Sequence, residues 1–129
     1  MTKDTRARPT RILVVEDDRS SKTVITAALL SQYEVTTAGD GLEALRIIKS
    51  GQMPDLVVSD VMMPGLDGIE MIKRLRAYEK TAKLPIIILT AKADAESYAQ
   101  GREVGATDYL TKPLTSDRLL AAVRRVLGT

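Results

Sequence analysis

Three stretches of the chain, Ile12-Leu13-Val14-Val15, Leu56-Val57-Val58 and Pro85-Ile86-Ile87-Ile88-Leu89, are continuous apolar runs with no alternating polar face. Runs of this length, rich in β-branched residues, mark strands buried on both sides, the kind found in parallel sheets covered by helices. Each run halts on polar chemistry: Glu16-Asp17-Asp18 after the first, Asp60 after the second, Thr90 after the third. Beyond Asp60 the strand cannot continue far, because Pro64 lacks an N–H and Gly65 and Gly68 favour turns.

Helical patterns separate these strands. Ser20 and Ser21 offer a helix start, followed by Val24, Ile25, Ala28 and Leu29 at helical spacing. Tyr33 to Ala38 has strand-forming residues with a more polar pattern, as an edge or near-edge strand would. Asp40-Gly41 turns into a helix carrying Leu42, Leu45 and Ile48, with Gly51 as its stop signal. Asp67 is placed to cap a helix with Ile69, Ile72 and Leu75, and with Met71 and Tyr78 beside them. Asp94 to Glu103 reads as a weaker helix, rich in small and polar residues and interrupted by Gly101, and is expected to be the least firmly packed. Asp108 to Thr111 forms a fifth strand that delivers Lys112-Pro113. Ser116 or Thr115 caps a last helix with Leu119, Leu120, Val123 and Val126 or Leu127.

Five alternations of strand and helix predict an α/β fold: a doubly wound, five-stranded parallel sheet with helices on both faces and right-handed crossovers. With 129 residues and 44% hydrophobic content, one domain fits and a second does not. Its expected span is residues 11–129. Residues 1–10 are polar, contain Pro9 and read as a flexible basic arm; Lys3, Arg6 and Arg8 stand there against Asp4 alone, in a chain whose net charge is +2. The arm has no basic run and no interleaved aromatic residue, so a solvated tail is expected rather than a nucleic-acid contact.

Two absences narrow the chemistry. No cysteine means no disulfide, thiolate nucleophile or thiolate metal site, and makes a reducing cytoplasm the simplest compartment. No histidine excludes imidazole bases and ligands, and also any phosphohistidine on this chain. No apolar run approaches the length of a membrane span or a signal-peptide core, so no membrane insertion is expected.

In a doubly wound sheet with the first and third strands adjacent, Glu16, Asp17, Asp60, Thr90 and Lys112 converge on one crevice at the carboxyl ends of the strands. Taken singly, each has an ordinary explanation: acidic triplets cap helices, and an Asp before a turn or a Lys before Pro is turn chemistry. Their arrival at one end of one sheet is what singles them out. Clustered carboxylates repel, so their pKa values rise or a cation binds among them, and oxygen donors without His or Cys favour Mg²⁺. Such a site suits phosphoryl transfer to a carboxylate. Asp60 would be the nucleophile, Lys112 the countercharge and Thr90 a hydroxyl donor.

Val14–Asp18 (Val-Val-Glu-Asp-Asp), Val58–Gly68 (Val-Ser-Asp-Val-Met-Met-Pro-Gly-Leu-Asp-Gly), Leu89–Ala91 and Gly105–Pro113 (Gly-Ala-Thr-Asp-Tyr-Leu-Thr-Lys-Pro) together resemble the CheY-like receiver domain of bacterial two-component response regulators. The resemblance extends over residues 11 to 127 and implies a flavodoxin-like (βα)5 fold with strand order 2-1-3-4-5. It implies that Asp60 is the phosphoacceptor, receiving its group from a sensor histidine kinase or a histidine phosphotransfer protein. Glu16 and Asp17 match the acidic pair that holds Mg²⁺ with Asp60, and the backbone carbonyl of Met62 matches a further ligand. Thr90 and Tyr109 match the switch pair, with Ala91 suitably small beside them. Lys112 matches the phosphoryl-binding lysine, preceding a peptide bond to Pro113 that is usually cis.

Glu16 stands where many relatives have Asp. Met62 and Lys92 flank the path of an attacking water, and Met62 is poorly suited to orient one, which predicts a fairly long-lived phosphoryl group. The implied function is a signalling switch rather than an enzyme, with a downstream effector binding near Asp94 to Glu103 and Tyr109. No output domain, and so no reading helix for DNA, is expected on this chain. Two alternatives stay open: a receiver excised from a larger regulator or hybrid kinase, and a Mg²⁺-dependent phosphohydrolase with an aspartyl-phosphate intermediate. The latter generally needs an Asp two positions after the nucleophile, where this chain has Met62.

Overall fold

The structure is a computed structural model that describes residues 9–61, 67–91 and 95–128, with backbone alone at 91 and 95–98. In chain order the elements are β1 (Arg11–Val15), α1 (Arg19–Leu30), β2 (Glu34–Ala38), α2 (Gly41–Lys49), β3 (Leu56–Asp60), α3 (Gly68–Ala77), a 3-10 turn (Glu79–Thr81), β4 (Ile86–Ala91), α4 (Ala95–Val104), β5 (Asp108–Lys112) and α5 (Ser116–Leu127). The strands form one parallel sheet in the order β2-β1-β3-β4-β5. This is the predicted doubly wound order, and β2 is the edge its polar pattern indicated.

The continuous apolar runs are explained by what lies on each side of them. Ile12 and Val14 face Ile25 and Leu29 of α1 and Leu119 and Val123 of α5. Leu13 and Val15 face the opposite way, onto Leu45 and Ile48 of α2 and Met71, Ile72 and Leu75 of α3. Successive strand residues point to opposite faces, so a strand between two helix layers must be apolar at every position. Burying each such side chain contributes about 1.5–3 kcal/mol, and a one-residue slip would exchange the two faces.

The helices correct several expectations. Asp18, not Ser20 or Ser21, caps α1 by accepting the Ser21 N–H at 2.8 Å. Val24 is 58% exposed and Leu42 46% exposed, so neither belongs to the core stripe. In α2 the buried set is Gly41, Ala44, Leu45 and Ile48, a spacing that keeps one face, whereas Leu42, Leu45 and Ile48 at threes drift around the axis. Tyr78 lies beyond the end of α3, with extended backbone and an exposed ring. Asp40, Asp67 and Thr115 cap α2, α3 and α5 as read, and Gly51, at φ +105°, ends α2.

Helix α4 closes on Gly105, whose φ of +102° suits glycine. The Ala106 N–H donates to the Gly101 carbonyl at 3.0 Å and the Gly105 N–H to the Arg102 carbonyl at 3.2 Å. Arg76, from the last turn of α3, donates through Nη2 to the Gly105 carbonyl at 2.9 Å and through Nη1 to the Thr81 carbonyl at 3.1 Å. Residues 1–8 of the predicted arm and Asp94, the predicted start of the fourth helix, lie outside the described residues. Among the described residues no helix is long and apolar enough to cross a membrane.

Candidate functional site

Strand β1 brings Glu16 under the surface. Its N–H donates to the Ala38 carbonyl at 3.0 Å, extending the β1–β2 ladder one residue past β1, and the residue is fully buried. Asp17 follows on the exposed side, and the Asp18 N–H donates back to Glu16 Oε2 at 3.2 Å. The triplet thus divides its work: Asp18 starts a helix while Glu16 and Asp17 face the crevice.

Strand β3 ends on Asp60, whose side chain is 13% exposed. Asp60 Oδ1 accepts the Val61 N–H at 2.7 Å, which fixes the carboxylate. Ser59, fully buried, donates its hydroxyl to the Asp60 carbonyl at 2.8 Å. The chain then returns closely over itself, and the Gly68 N–H donates to the Val61 carbonyl at 2.9 Å. A Cβ at Gly68 would collide with the Asp60 carbonyl oxygen and lie 3.0 Å from Val61 Cα, so Gly68 serves this close approach rather than a positive φ. In the sequence it reads only as a turn glycine; Ser59 and the Val61 N–H carry no signal there.

Strand β5 delivers Lys112, followed by a cis peptide bond to Pro113. Lys112 Nζ donates to Asp60 Oδ2 at 3.0 Å and to Glu16 Oε1 at 3.4 Å. Carboxylate oxygens of Glu16, Asp17 and Asp60 all lie within 4.8 Å of one another. Burial, joined by the charge of Asp60, pushes the Glu16 carboxyl above its ordinary range despite the Asp18 N–H and Lys112. Burial pulls on Lys112 in the opposite sense, but its hydrogen bond to Asp60 and the two negative charges prevail and hold its pKa above the ordinary value. An all-oxygen donor set this tight, around a buried acid that burial disfavours as an anion, fits a hard divalent cation such as Mg²⁺. Met62 and Lys92 lie outside the described residues.

Thr90 is 2% exposed and follows Leu89, the ladder partner of Asp60. Tyr109 pairs with Ile88, so the two side chains share the face covered by α3 and α4, and Thr90, two residues after Ile88, points to that face as well. The ring of Tyr109 packs on that core layer. The sheet therefore brings Glu16, Asp17, Asp60 and Lys112 into contact range, with Thr90 at the adjoining strand end and Tyr109 diagonal to it.

The sequence matches the family model described as the response regulator receiver domain over residues 12–124. Response regulator MprA of Mycobacterium sp. (strain KMS) is 44% identical over 120 residues, which cover 92% of this chain and 51% of that protein. Chemotaxis response regulator CheY4 of Vibrio cholerae superposes with a TM-score of 0.85 at 35% identity, covering 92% of this chain and 99% of that one. The signal receiver domain of a signal transduction histidine kinase from Syntrophus aciditrophicus gives 0.85 at 32% identity, covering 92% and 90%. The chain spans about half the length of the curated relatives it matches. Fold, site geometry and sequence agree, and the chain belongs to the response regulator receiver domain family.

Proposed function

We propose that this domain is a phosphorylation-controlled switch in which Asp60 accepts a phosphoryl group from the phosphohistidine of a sensor histidine kinase or histidine phosphotransfer protein. The observation that carries the reading is Lys112 Nζ standing 3.0 Å from Asp60 Oδ2, a cation already aligned on the carboxylate. In the transfer an Asp60 oxygen attacks phosphorus as the P–N bond to the donor histidine breaks, and the Lys112 ammonium stays protonated against the transferred oxygens. The Val61 N–H holds the second Asp60 oxygen and orients the carboxylate. Glu16, Asp17 and Asp60, with the Met62 carbonyl, would hold Mg²⁺, which would neutralise phosphoryl charge there.

The donor histidine lies outside these 129 residues, which contain none. An apolar cleft beside Lys112, lined by Val24, Ile25, Pro113 and Leu114, supports docking of that partner next to the acceptor. Readout runs through Thr90, whose hydroxyl donates to the phosphoryl group, and Tyr109, with an effector binding near residues 94–103. The receiver unit is residues 11–129, preceded by an arm over 1–10, and it works in the cytoplasm without inserting in a membrane. Acetyl phosphate with Mg²⁺ tests the acceptor: wild type gains one phosphoryl group by intact mass, and Asp60→Asn gains none. Stoichiometric labelling of Asp60→Asn would sink the assignment.

A further inference from the structure

Helix α4 crosses β4 and β5 at a residue without a side chain. Gly101 is buried, and a Cβ built on it would lie 2.6 Å from Ile88 Cδ1 and 2.9 Å from Tyr109 Cε2. Both are inside any normal carbon contact. Ile88 and Tyr109 are ladder partners, so one glycine faces the pair. The Tyr109 hydroxyl oxygen is itself buried, and it would stand 3.5 Å from the added carbon.

The helix has little room to lift away. Its closing turn ties the Gly101 carbonyl to the Ala106 N–H, and the next carbonyl anchor, Gly105, is gripped by Arg76 at 2.9 and 3.2 Å. An ordinary buried glycine in a helix costs stability relative to alanine, so a helix that keeps one here gains something else from the gap. Of the two neighbours, the aliphatic Ile88 belongs to the central layer, whereas the ring of Tyr109 is half-buried at the edge strand and has a way out.

We infer that Gly101 is a positioning residue for the switch: the gap it leaves between α4 and β5 seats the Tyr109 ring inward, and filling it turns the ring out and uncouples readout from Asp60. This rests on the proposed role of Tyr109 in that readout. The competing explanation is that Gly101 merely avoids crowding Ile88, and the two differ in which atom the added methyl displaces. Valine at 88 lacks Cδ1, so Ile88→Val relieves the aliphatic collision and leaves the aromatic one.

The test uses the full chain labelled with 3-fluorotyrosine, the Tyr109 resonance being assigned by its loss in Tyr109→Phe, with and without Mg²⁺ and beryllofluoride. Phosphorylation by acetyl phosphate is followed in parallel by intact mass. Gly101→Ala is expected to move the Tyr109 fluorine signal to a solvent-exposed shift that no longer responds to beryllofluoride, while Asp60 is phosphorylated near the wild-type level. Gly101→Ala with Ile88→Val is expected to show the same exposed, unresponsive ring; this variant carries the test if the single one folds poorly. A double variant whose ring regains the wild-type shift and response overturns the inference, as does a Gly101→Ala ring that behaves as wild type. A wild-type signal that ignores beryllofluoride while Asp60 is modified overturns instead the readout role of Tyr109.

Discussion

Lys112 Nζ donates to Asp60 Oδ2 across 3.0 Å, joining the ends of two strands 52 residues apart in the chain. A charge-assisted bond of this kind contributes about 1.5–3 kcal/mol, so Lys112→Ala should slow phosphorylation of Asp60 by acetyl phosphate about 10- to 100-fold. Lys112→Arg should recover part of the rate. Time courses by intact mass check this, and a Lys112→Ala rate matching wild type would remove the lysine from phosphoryl handling.

Glu16 carries a testable pH signature. Burial first, and then the charge of Asp60, holds its folded carboxyl above the ordinary carboxylate range, so the neutral acid is favoured in the folded state. The stability this provides is fully present below the unfolded pKa and is lost as pH rises through the folded one. In chelator, Glu16→Gln should therefore melt at a higher temperature than wild type at neutral pH, with the margin shrinking as pH falls toward the ordinary carboxylate range. Millimolar Mg²⁺ should stabilise wild type more than the variant. Melting curves at several pH values, with and without Mg²⁺, decide it, and a margin that grows on acidification would contradict the burial argument.

Gly68→Ala forces a methyl against the Asp60 carbonyl and Val61 Cα, both backbone atoms that cannot swing aside. Overpacking of this sort costs about 1–3 kcal/mol. Urea unfolding should show that loss, and the variant should also take up a phosphoryl group more slowly because the displaced backbone is that of the proposed acceptor, Asp60. Full stability together with a full phosphorylation rate would show that the loop yields freely.

Thr81 offers the contrast of a purely structural polar group. Fully buried, it donates its hydroxyl to the Leu75 carbonyl at the end of α3. Thr81→Val keeps the shape and removes that bond while the Leu75 carbonyl keeps the Tyr78 N–H at 3.3 Å, which should cost about 0.5–1.5 kcal/mol. Urea melts should register the loss while the phosphorylation rate of the folded protein stays at the wild-type value; a slowed rate would tie this far turn to the crevice.

The strands were legible because burial on both faces leaves no alternative reading of Ile12–Val15, Leu56–Val58 or Ile86–Leu89, and the crevice was legible because each strand ends on a distinct functional group. Helix faces were harder. Val24 and Leu42 are apolar residues one step outside the buried stripe, and a helix surface tolerates them singly. Asp18 caps α1 in place of Ser20 or Ser21, and composition does not say which polar residue after a strand will cap. Gly68, Gly101 and Arg76 act through close approaches between separate elements of the fold, and a single chain gives no sign of what will lie opposite them.

Arg76 joins two crossovers, holding the carbonyls of Thr81 and Gly105 from the last turn of α3. Those carbonyls belong to the turns from which β4 and β5 set out, while Thr90 and Lys112 sit at the far ends of the same strands. Five or six residues at about 3.3 Å each put roughly 16–20 Å between the two ends. The guanidinium is the rivet of a hand fan: it fixes the ribs where they meet, gives any tilt of β4 and β5 a fulcrum, and leaves the spread to the opposite rim.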